Sequence, residues 1–219
     1  FNPAGLGRVF IAVTFGSFFV GSYGLVDAAA GATPLSVSFT DLFQYYQITD
    51  LLTGNIPGSL GEVNSLLILA GAIYLFVRKS ADFRPALSGL FVFVLLTLIV
   101  GIIRYPNQIL EYVLYQVLSG GLLFGLAFMV TDPATSPVTR PGRMIYGLLV
   151  GFLVFAIRMW AALPEGVAFA ILIANIFVPL IDYPDLADNR YRLKFMIGYG
   201  VSIVLLAVFT YLIVGGIVI

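Results

Sequence analysis

The chain of 219 residues contains no cysteine and no histidine. The first absence excludes disulfides, cysteine-ligated iron–sulfur clusters and thiolate zinc sites within it. The second removes the usual haem ligand and the commonest general base. A redox centre here must be an organic cofactor, or must sit on a partner, and no metal site is expected. Charge is scarce as well: Asp, Glu, Lys and Arg make up 10% of residues, against about 25% in an ordinary soluble domain. The 11 basic and 11 acidic residues cancel, so nothing points to nucleic acid or to an acidic partner. What is present is apolar, 60% of residues, with a mean hydropathy of +1.04. A water-soluble fold of this size has no way to hide so much apolar surface, and a lipid bilayer does not require it to. The expected fold class is all-α, a polytopic transmembrane helical bundle.

Spanning the hydrocarbon takes about 20 apolar residues. Seven segments qualify as candidates: 3–23, 62–79, 85–103, 108–130, 144–161, 164–181 and 194–217. Several are short, and Gly120-Gly121 interrupts the fourth. Such breaks are tolerated where neighbours re-satisfy the backbone, so half-helices are expected. Residues 1–219 read as a single transmembrane domain. The opening Phe1-Asn2-Pro3-Ala4-Gly5 has no charged region before it and reads like the inside of a longer chain, so further N-terminal helices are expected.

The connections carry the charge. One set holds Arg78, Lys79 and Arg84, then Arg140 and Arg143, then Arg190, Arg192 and Lys194, with Arg8 near the start of the first segment; the opposite set holds only Arg104 and Arg158. Strict alternation of seven spans puts nine of the 11 basic residues on one side, which the positive-inside rule makes the cytoplasm. Segment 24–61 then lies outside and the loop 132–143 inside. Pro3-Ala4-Gly5-Leu6 opens one helix on the inside, and Pro164-Glu165-Gly166-Val167 opens another on the outside. An inverted repeat would leave that echo, and so would proline's preference for a first helical turn.

The outside segment contains Asp27-Ala28-Ala29-Ala30-Gly31-Ala32-Thr33-Pro34-Leu35. A run of small residues ending in a hydroxyl could lie extended in another enzyme's active site and present Thr33 as an acceptor. A plain surface-loop threonine is the bland alternative. Asp27 with Gly31-Ala32-Thr33 resembles the acceptor motif of bacterial flavin transferases, which move an FMN unit from FAD onto a Thr or Ser and leave a phosphoester. The wider pattern is similar to the D-type subunit of the Rnf electron-transport complex and to the B-type subunit of the sodium-translocating NADH:quinone reductase. Four further stretches carry the likeness: Phe1-Asn2-Pro3-Ala4-Gly5-Leu6-Gly7-Arg8, Gly54-Asn55-Ile56-Pro57-Gly58-Ser59-Leu60-Gly61-Glu62, Thr131-Asp132-Pro133-Ala134-Thr135-Ser136-Pro137 and Leu163-Pro164-Glu165-Gly166-Val167-Ala168-Phe169-Ala170. Their order and spacing fit the Rnf protein more closely. One departure is Ala30, where the family usually has Ser or Thr.

The resemblance implies covalent FMN on Thr33, with Asp27, Gly31 and Ala32 as the transferase's recognition motif on the extracytoplasmic side of a bacterial cytoplasmic membrane. It implies a relay of electrons between flavin centres coupled to Na⁺ or H⁺ transport. The partners would be the other proteins of the complex, notably an FMN-bearing periplasmic one, besides the flavin transferase and the lipid bilayer. It also implies a fold similar to urea and ammonium transporters, with an inverted repeat and half-helices. The reductase relatives hold a riboflavin in their membrane part, so a second flavin is a further candidate.

Other residues carry paired readings. Ser59 and Glu62 have the spacing of a capping box, and Glu62 could also line an ion or flavin site. Asp132 precedes Pro133 and is followed by Thr135, Ser136 and Thr139. That pattern suits a turn closed by local bonds, or a polar pocket for a second flavin or a cation at the inner face. Glu165 suits a helix N-terminus, with Arg158 as a nearby partner. Asn64 and Asn175, within spans, either bridge helices or mark a pathway. Tyr45 and Tyr46 could stack on a flavin ring. The rival class is a channel or transporter for a small neutral solute, suggested by short proline-led helices and the possible repeat. A purely structural anchor fits the polar groups within the spans least well.

Overall fold

The computed structural model describes residues 1–19, 24–25, 28–29, 35, 39, 47–56, 63–161, 166–183 and 189–216. In chain order the elements are α1 (Pro3–Phe19), β1 (Gly24–Leu25), β2 (Ala28–Ala29), α2 (Ile48–Thr53), α3 (Ser65–Val77), α4 (Phe83–Arg104) and α5 (Ile109–Leu118). There follow α6 (Leu122–Phe124, continued by a π-helical turn Gly125–Met129), α7 (Arg140–Trp160), α8 (Val167–Ile181) and α9 (Leu193–Gly216). Apart from the two-residue antiparallel pair β1–β2, the regular structure among the described residues is helical. Each of the seven expected segments contains a helix, and α2 is an addition that hydropathy did not indicate.

Length separates these helices. By length and composition α4, α7 and α9, with 22, 21 and 24 residues, are able to cross a membrane, and α5 with α6 makes a fourth crossing bent by 58°. The apolar helices α1, α3 and α8 have 17, 13 and 15 residues. Over the described residues, at 1.5 Å per residue, they reach about 20–25 Å, against the ~30 Å hydrocarbon layer. Among the described residues the seven candidate segments thus give three or four helices long enough to span, with shorter apolar helices packed among them. At α3 hydropathy overran the start of the helix, because a polar cap begins it at Ser65, whereas α4 and α7 extend beyond the starts of their expected segments. Asn64, read as lying within a span, is the N-cap of α3: its Oδ1 accepts from the Leu67 N–H at 3.0 Å, and its Nδ2 donates to the Thr53 carbonyl at 2.8 Å.

The bundle is built around the seam between α4 and α7, whose backbones touch. A Cβ on Gly147 would lie 2.2 Å from the Pro85 carbonyl oxygen, and one on Gly151 2.3 Å from that of Gly89. Ser88 Oγ donates to the Met144 carbonyl at 2.7 Å across the same seam. Small residues at four-residue spacing permit this approach, which is how helices associate in lipid, where apolar burial gives no advantage. Around the seam Val92, Phe93, Leu96 and Val100 of α4 and Tyr146, Val150, Val154 and Phe155 of α7 are all 1% exposed or less. The flank of α9 is the reverse: Ile197, Val204, Leu205 and Leu212 are more than half exposed. Such a row would be costly in water, at about 25 cal/mol per Å², and costs nothing against acyl chains.

The matching registers, Pro85 with Gly147 and Gly89 with Gly151, make α4 and α7 parallel, so their N-termini share one end of the bundle. The basic turns converge there. Arg84 Nε donates to Tyr191 Oη at 2.9 Å, the Arg140 N–H donates to Asn189 Oδ1 at 3.1 Å, and Asp82 accepts from both Arg84 and Arg143. Arg104 and Arg158 lie near the other ends of α4 and α7. Arg8 departs from the expected grouping: it borders the α5–α6 break beside Gly120, Gly121 and Val167.

Candidate functional site

The flavin-acceptor motif Asp27, Gly31, Ala32 and Thr33 lies outside the described residues, as do Tyr45, Tyr46, Ser59, Glu62 and Glu165. The described residues around the motif are informative. Phe39 is buried in a nest of tyrosines at the Arg104 end of the bundle, with ring centroids 4.7 Å from Tyr105, 5.1 Å from Tyr112 and 5.9 Å from Tyr115. The short α2 is held at the same end. Its Leu51 is fully buried, and Ser65 Oγ lies within hydrogen-bond range of the Leu51 and Leu118 carbonyls, 3.2 and 3.3 Å away.

At the basic end two cavities adjoin. The larger, about 540 Å³, is walled by Lys79, Asp82, Arg84, Ser136, Arg140 and Arg143 among others. The smaller, about 350 Å³, lies among Asn2, Leu75, Phe128, Met129 and Asp132. They share Ser80, Ala81, Thr131 and Pro133. Asp132 and Thr135 form the local turn: Asp132 Oδ2 accepts from Thr135 Oγ1 at 2.9 Å, and Oδ1 accepts from the Ala134 N–H at 3.2 Å. Ser136 faces the larger cavity and Asp132 the smaller, so these sequence-chosen residues border two compartments rather than one. Thr139 is the N-cap of α7, accepting from the Gly142 N–H at 3.1 Å. Among the described residues, four cations against the single carboxylate of Asp82 make the larger cavity inhospitable to a metal cation. Among the described residues no three His, Cys, Asp or Glu side chains gather as a metal site.

Asp82 ties the cavity wall together. Its carboxylate accepts from the Arg84 N–H at 2.8 Å, from Arg84 Nη1 at 2.7 Å and from Arg143. Burial pushes its pKa up, but the bonds from the Arg84 backbone and from the Arg143 and Arg84 side chains outweigh burial and hold it below the ordinary carboxylate value. A depressed carboxyl stabilises the fold at pH above its unfolded value and loses that contribution as pH falls through its folded value. Thermal unfolding of the protein in detergent should therefore show a lower midpoint below about pH 4. Asp82→Asn should start from a lower midpoint at neutral pH and lack this part of the acid response.

Sequence reasoning missed what Arg158 does. The expected partner Glu165 lies outside the described residues, and the guanidinium reaches into the α5–α6 break. It donates to the carbonyls of Gln116, Ser119 and Gly120, the last two at 3.0 and 3.1 Å, and lies 5.1 Å from the centre of the Phe93 ring. Gly120 and Gly121 turn the chain there with φ of 69° and 67°, a region other residues rarely adopt. A late arginine in one apolar segment and a Gly-Gly pair in another were the available signals. Asn175, for which two readings stood open, bridges helices: it accepts from Tyr146 Oη at 2.8 Å.

Over 201 residues the chain is 37% identical to the B-type subunit of a Na(+)-translocating NADH-quinone reductase from Chromohalobacter salexigens, covering 87% of this chain and 49% of that protein. It is 38% identical over 172 residues to the D-type subunit of an ion-translocating oxidoreductase complex from Stutzerimonas stutzeri, covering 72% and 47%. The match to the B-type reductase protein of Chlamydia felis is 42% over 154 residues, covering 65% and 30%. The chain thus spans about half the length of these relatives or less. Proteins of the B and D types match at nearly equal identity, so identity gives no support to the preference for the Rnf type drawn from motif spacing. With its apolar helices and the family profile matching residues 1–187, the chain is a multi-pass membrane protein that belongs to the NQR2, RnfD, RnfE family.

Proposed function

We propose that this chain is a membrane subunit of an ion-translocating electron-transfer complex, carries FMN as a phosphoester on Thr33, and relays electrons between flavin centres with coupled movement of Na⁺ or H⁺. The basic turns face the cytoplasm and Thr33 the extracytoplasmic side of a bacterial cytoplasmic membrane. The observation that carries this reading is the anchoring of Phe39 at the end of the bundle opposite the arginine-rich turns. The six residues from Thr33 to Phe39 extend at most about 20 Å, and the hydrocarbon layer is about 30 Å thick. That supports an acceptor hydroxyl on the side where the transferase works. Attachment breaks the pyrophosphate bond of FAD: the Thr33 oxygen bonds to the FMN phosphorus, its proton is lost, and AMP leaves. The bound flavin supplies the redox chemistry, and the protein sets its position and access.

The same reading assigns a second, non-covalent flavin to the smaller cavity, where Leu75, Phe128 and Met129 offer apolar walls and the Asp132 carboxylate a polar edge. The partners are the remaining proteins of the complex, an FMN-bearing periplasmic one among them, and the flavin transferase. An inverted repeat like that of urea and ammonium transporters belongs to the proposal too. It is supported by the bent α5–α6 pair and by the packing of α1 on α8, where a Cβ on Gly5 would lie 3.6 Å from Leu172.

One experiment tests both cofactors. Protein from cells that also make the transferase is precipitated with acid and washed. The pellet should keep one flavin that fluoresces on a denaturing gel, and the supernatant should hold the second. Thr33→Ala should abolish the pellet signal, Thr33→Ser should retain it, and both should leave the supernatant flavin unchanged. A native protein without colour would favour the solute-transporter reading instead.

A further inference from the structure

The basic cavity is not closed toward the membrane. Arg84 and Phe83 form a wall it shares with a third cavity of about 470 Å³, which descends between α4 and α9. Phe83, Leu87 and Phe91 line that groove at successive turns of one face of α4, and they are 46, 53 and 57% exposed. Over the eight residue steps from Phe83 to Phe91 the groove runs about 12 Å along the bundle. The polar atoms below its rim are spent: Ser88 Oγ bonds both the Met144 carbonyl and Tyr199 Oη, each at 2.7 Å, while at the rim Tyr191 Oη accepts from Arg84. What remains for an occupant is apolar.

The head of the groove is the opposite. Lys79, Arg84, Arg140 and Arg143 face one another across the basic cavity, with Asp82 the only carboxylate on its wall among the described residues. Asp82 is engaged by Arg84 and Arg143. Among the described residues the nearby carboxylates are used locally, Asp132 by its own turn and Asp182 by the Val138 N–H at 3.1 Å. Lys79 and Arg140 make no ion pair among the described residues. A concentration of positive charge thus opens directly onto an apolar channel at one end of a membrane bundle.

We propose that this composite site binds an anionic phospholipid, with its phosphate against Lys79, Arg84 and Arg140 and one acyl chain along Phe83, Leu87 and Phe91. Both halves are needed to choose the occupant. A soluble phosphate makes no use of the groove, and a zwitterionic lipid brings its own cation into a cavity that already holds four. Basic pockets between membrane helices recognise anionic headgroups in this way, and arginine suits phosphate through paired donors. The inference is independent of the flavin.

The test is thermal unfolding and binding of the full chain, alone and within its complex, in micelles doped with phosphatidylglycerol or phosphatidylcholine. Phosphatidylglycerol should raise the midpoint by several degrees and phosphatidylcholine should not. The double variant Lys79→Gln/Arg140→Gln should keep its midpoint in phosphatidylcholine and bind phosphatidylglycerol about thirty-fold more weakly, at about 1 kcal/mol per basic residue and 1.4 kcal/mol per decade. Leu87→Glu in the groove should weaken binding as well, and Arg104→Gln at the other end should leave it unchanged. Equal stabilisation by both lipids, an equal shift from inorganic phosphate, or loss of the shift in the intact complex because a partner protein covers this face would each overturn the proposal.

Discussion

Gly151→Ala should leave little well-folded protein, and Gly147→Ala should do the same. The added methyl at residue 151 would lie 2.3 Å from the Gly89 carbonyl oxygen, and at residue 147 it would lie 2.2 Å from that of Pro85. Real contacts of this kind are above 3 Å. Both obstacles are backbone atoms, so no side chain can rotate away, and the two helices must separate by about an ångström along their whole seam. That separation forfeits the dispersion contacts of Val92, Phe93, Leu96, Val150, Val154 and Phe155, which carry helix association where lipid removes the hydrophobic drive. It also stretches the Ser88–Met144 hydrogen bond. Overpacking of a tight core costs about 1–3 kcal/mol, and two rigid helices place this case at the upper end. The measurement is the monodisperse fraction and the thermal midpoint in mild detergent. Gly198→Ala and Gly200→Ala in α9 provide the comparison, because a Cβ there meets nothing within 4 Å. Those should be neutral or slightly stabilising, since alanine is the better helix former. A wild-type midpoint for Gly151→Ala would contradict the contact between α4 and α7.

The helices were legible because the bilayer constrains them: uncharged apolar runs separated by basic turns have few alternatives. The helix ends were less so. A hydropathy window does not register one polar side chain, so Asn64 read as part of a span although it caps α3. The stretch ITDLLT carries no sign of α2, which exists because Leu51 is buried under α5 and because the Asp50 carboxylate accepts from the Gln47 N–H at 2.9 Å. The turn chemistry of Asp132 and Thr135 could be read locally, while the division of Asp132 and Ser136 between two cavities depends on tertiary packing. Counting charges grouped the arginine-rich turns correctly, but Arg8 escaped that grouping because its position follows from how α1 meets the α5–α6 break. The Asp82 clamp joins residues about sixty positions apart, which periodicity cannot reveal. Thr33 was reached through motif resemblance and lies outside the described residues, so the acceptor assignment rests on chemistry, on the position of Phe39 and on the family.

Arg158→Met should destabilise the protein by about 3 kcal/mol or more while changing side-chain volume little. The end of α5 leaves carbonyls without intrahelical donors, and Gly120-Gly121 breaks the span before α6 can supply them. In a bilayer no water replaces the missing donors. Arg158 supplies them instead, reaching Gln116, Ser119 and Gly120 from the neighbouring helix. Each buried carbonyl left alone costs about 1–3 kcal/mol. The guanidinium also places positive charge at the negative end of the α5 dipole. Arg158→Lys separates these contributions: it keeps the charge but has no planar fork to serve three carbonyls, so it should recover part of the loss. Were Arg158 instead chiefly the ion-pair partner of Glu165, lysine would restore stability fully and Glu165→Gln would reproduce the defect. Thermal midpoints of the three variants in one detergent decide the matter. A midpoint for Arg158→Met within error of wild type would mean that the break is held by something other than this side chain.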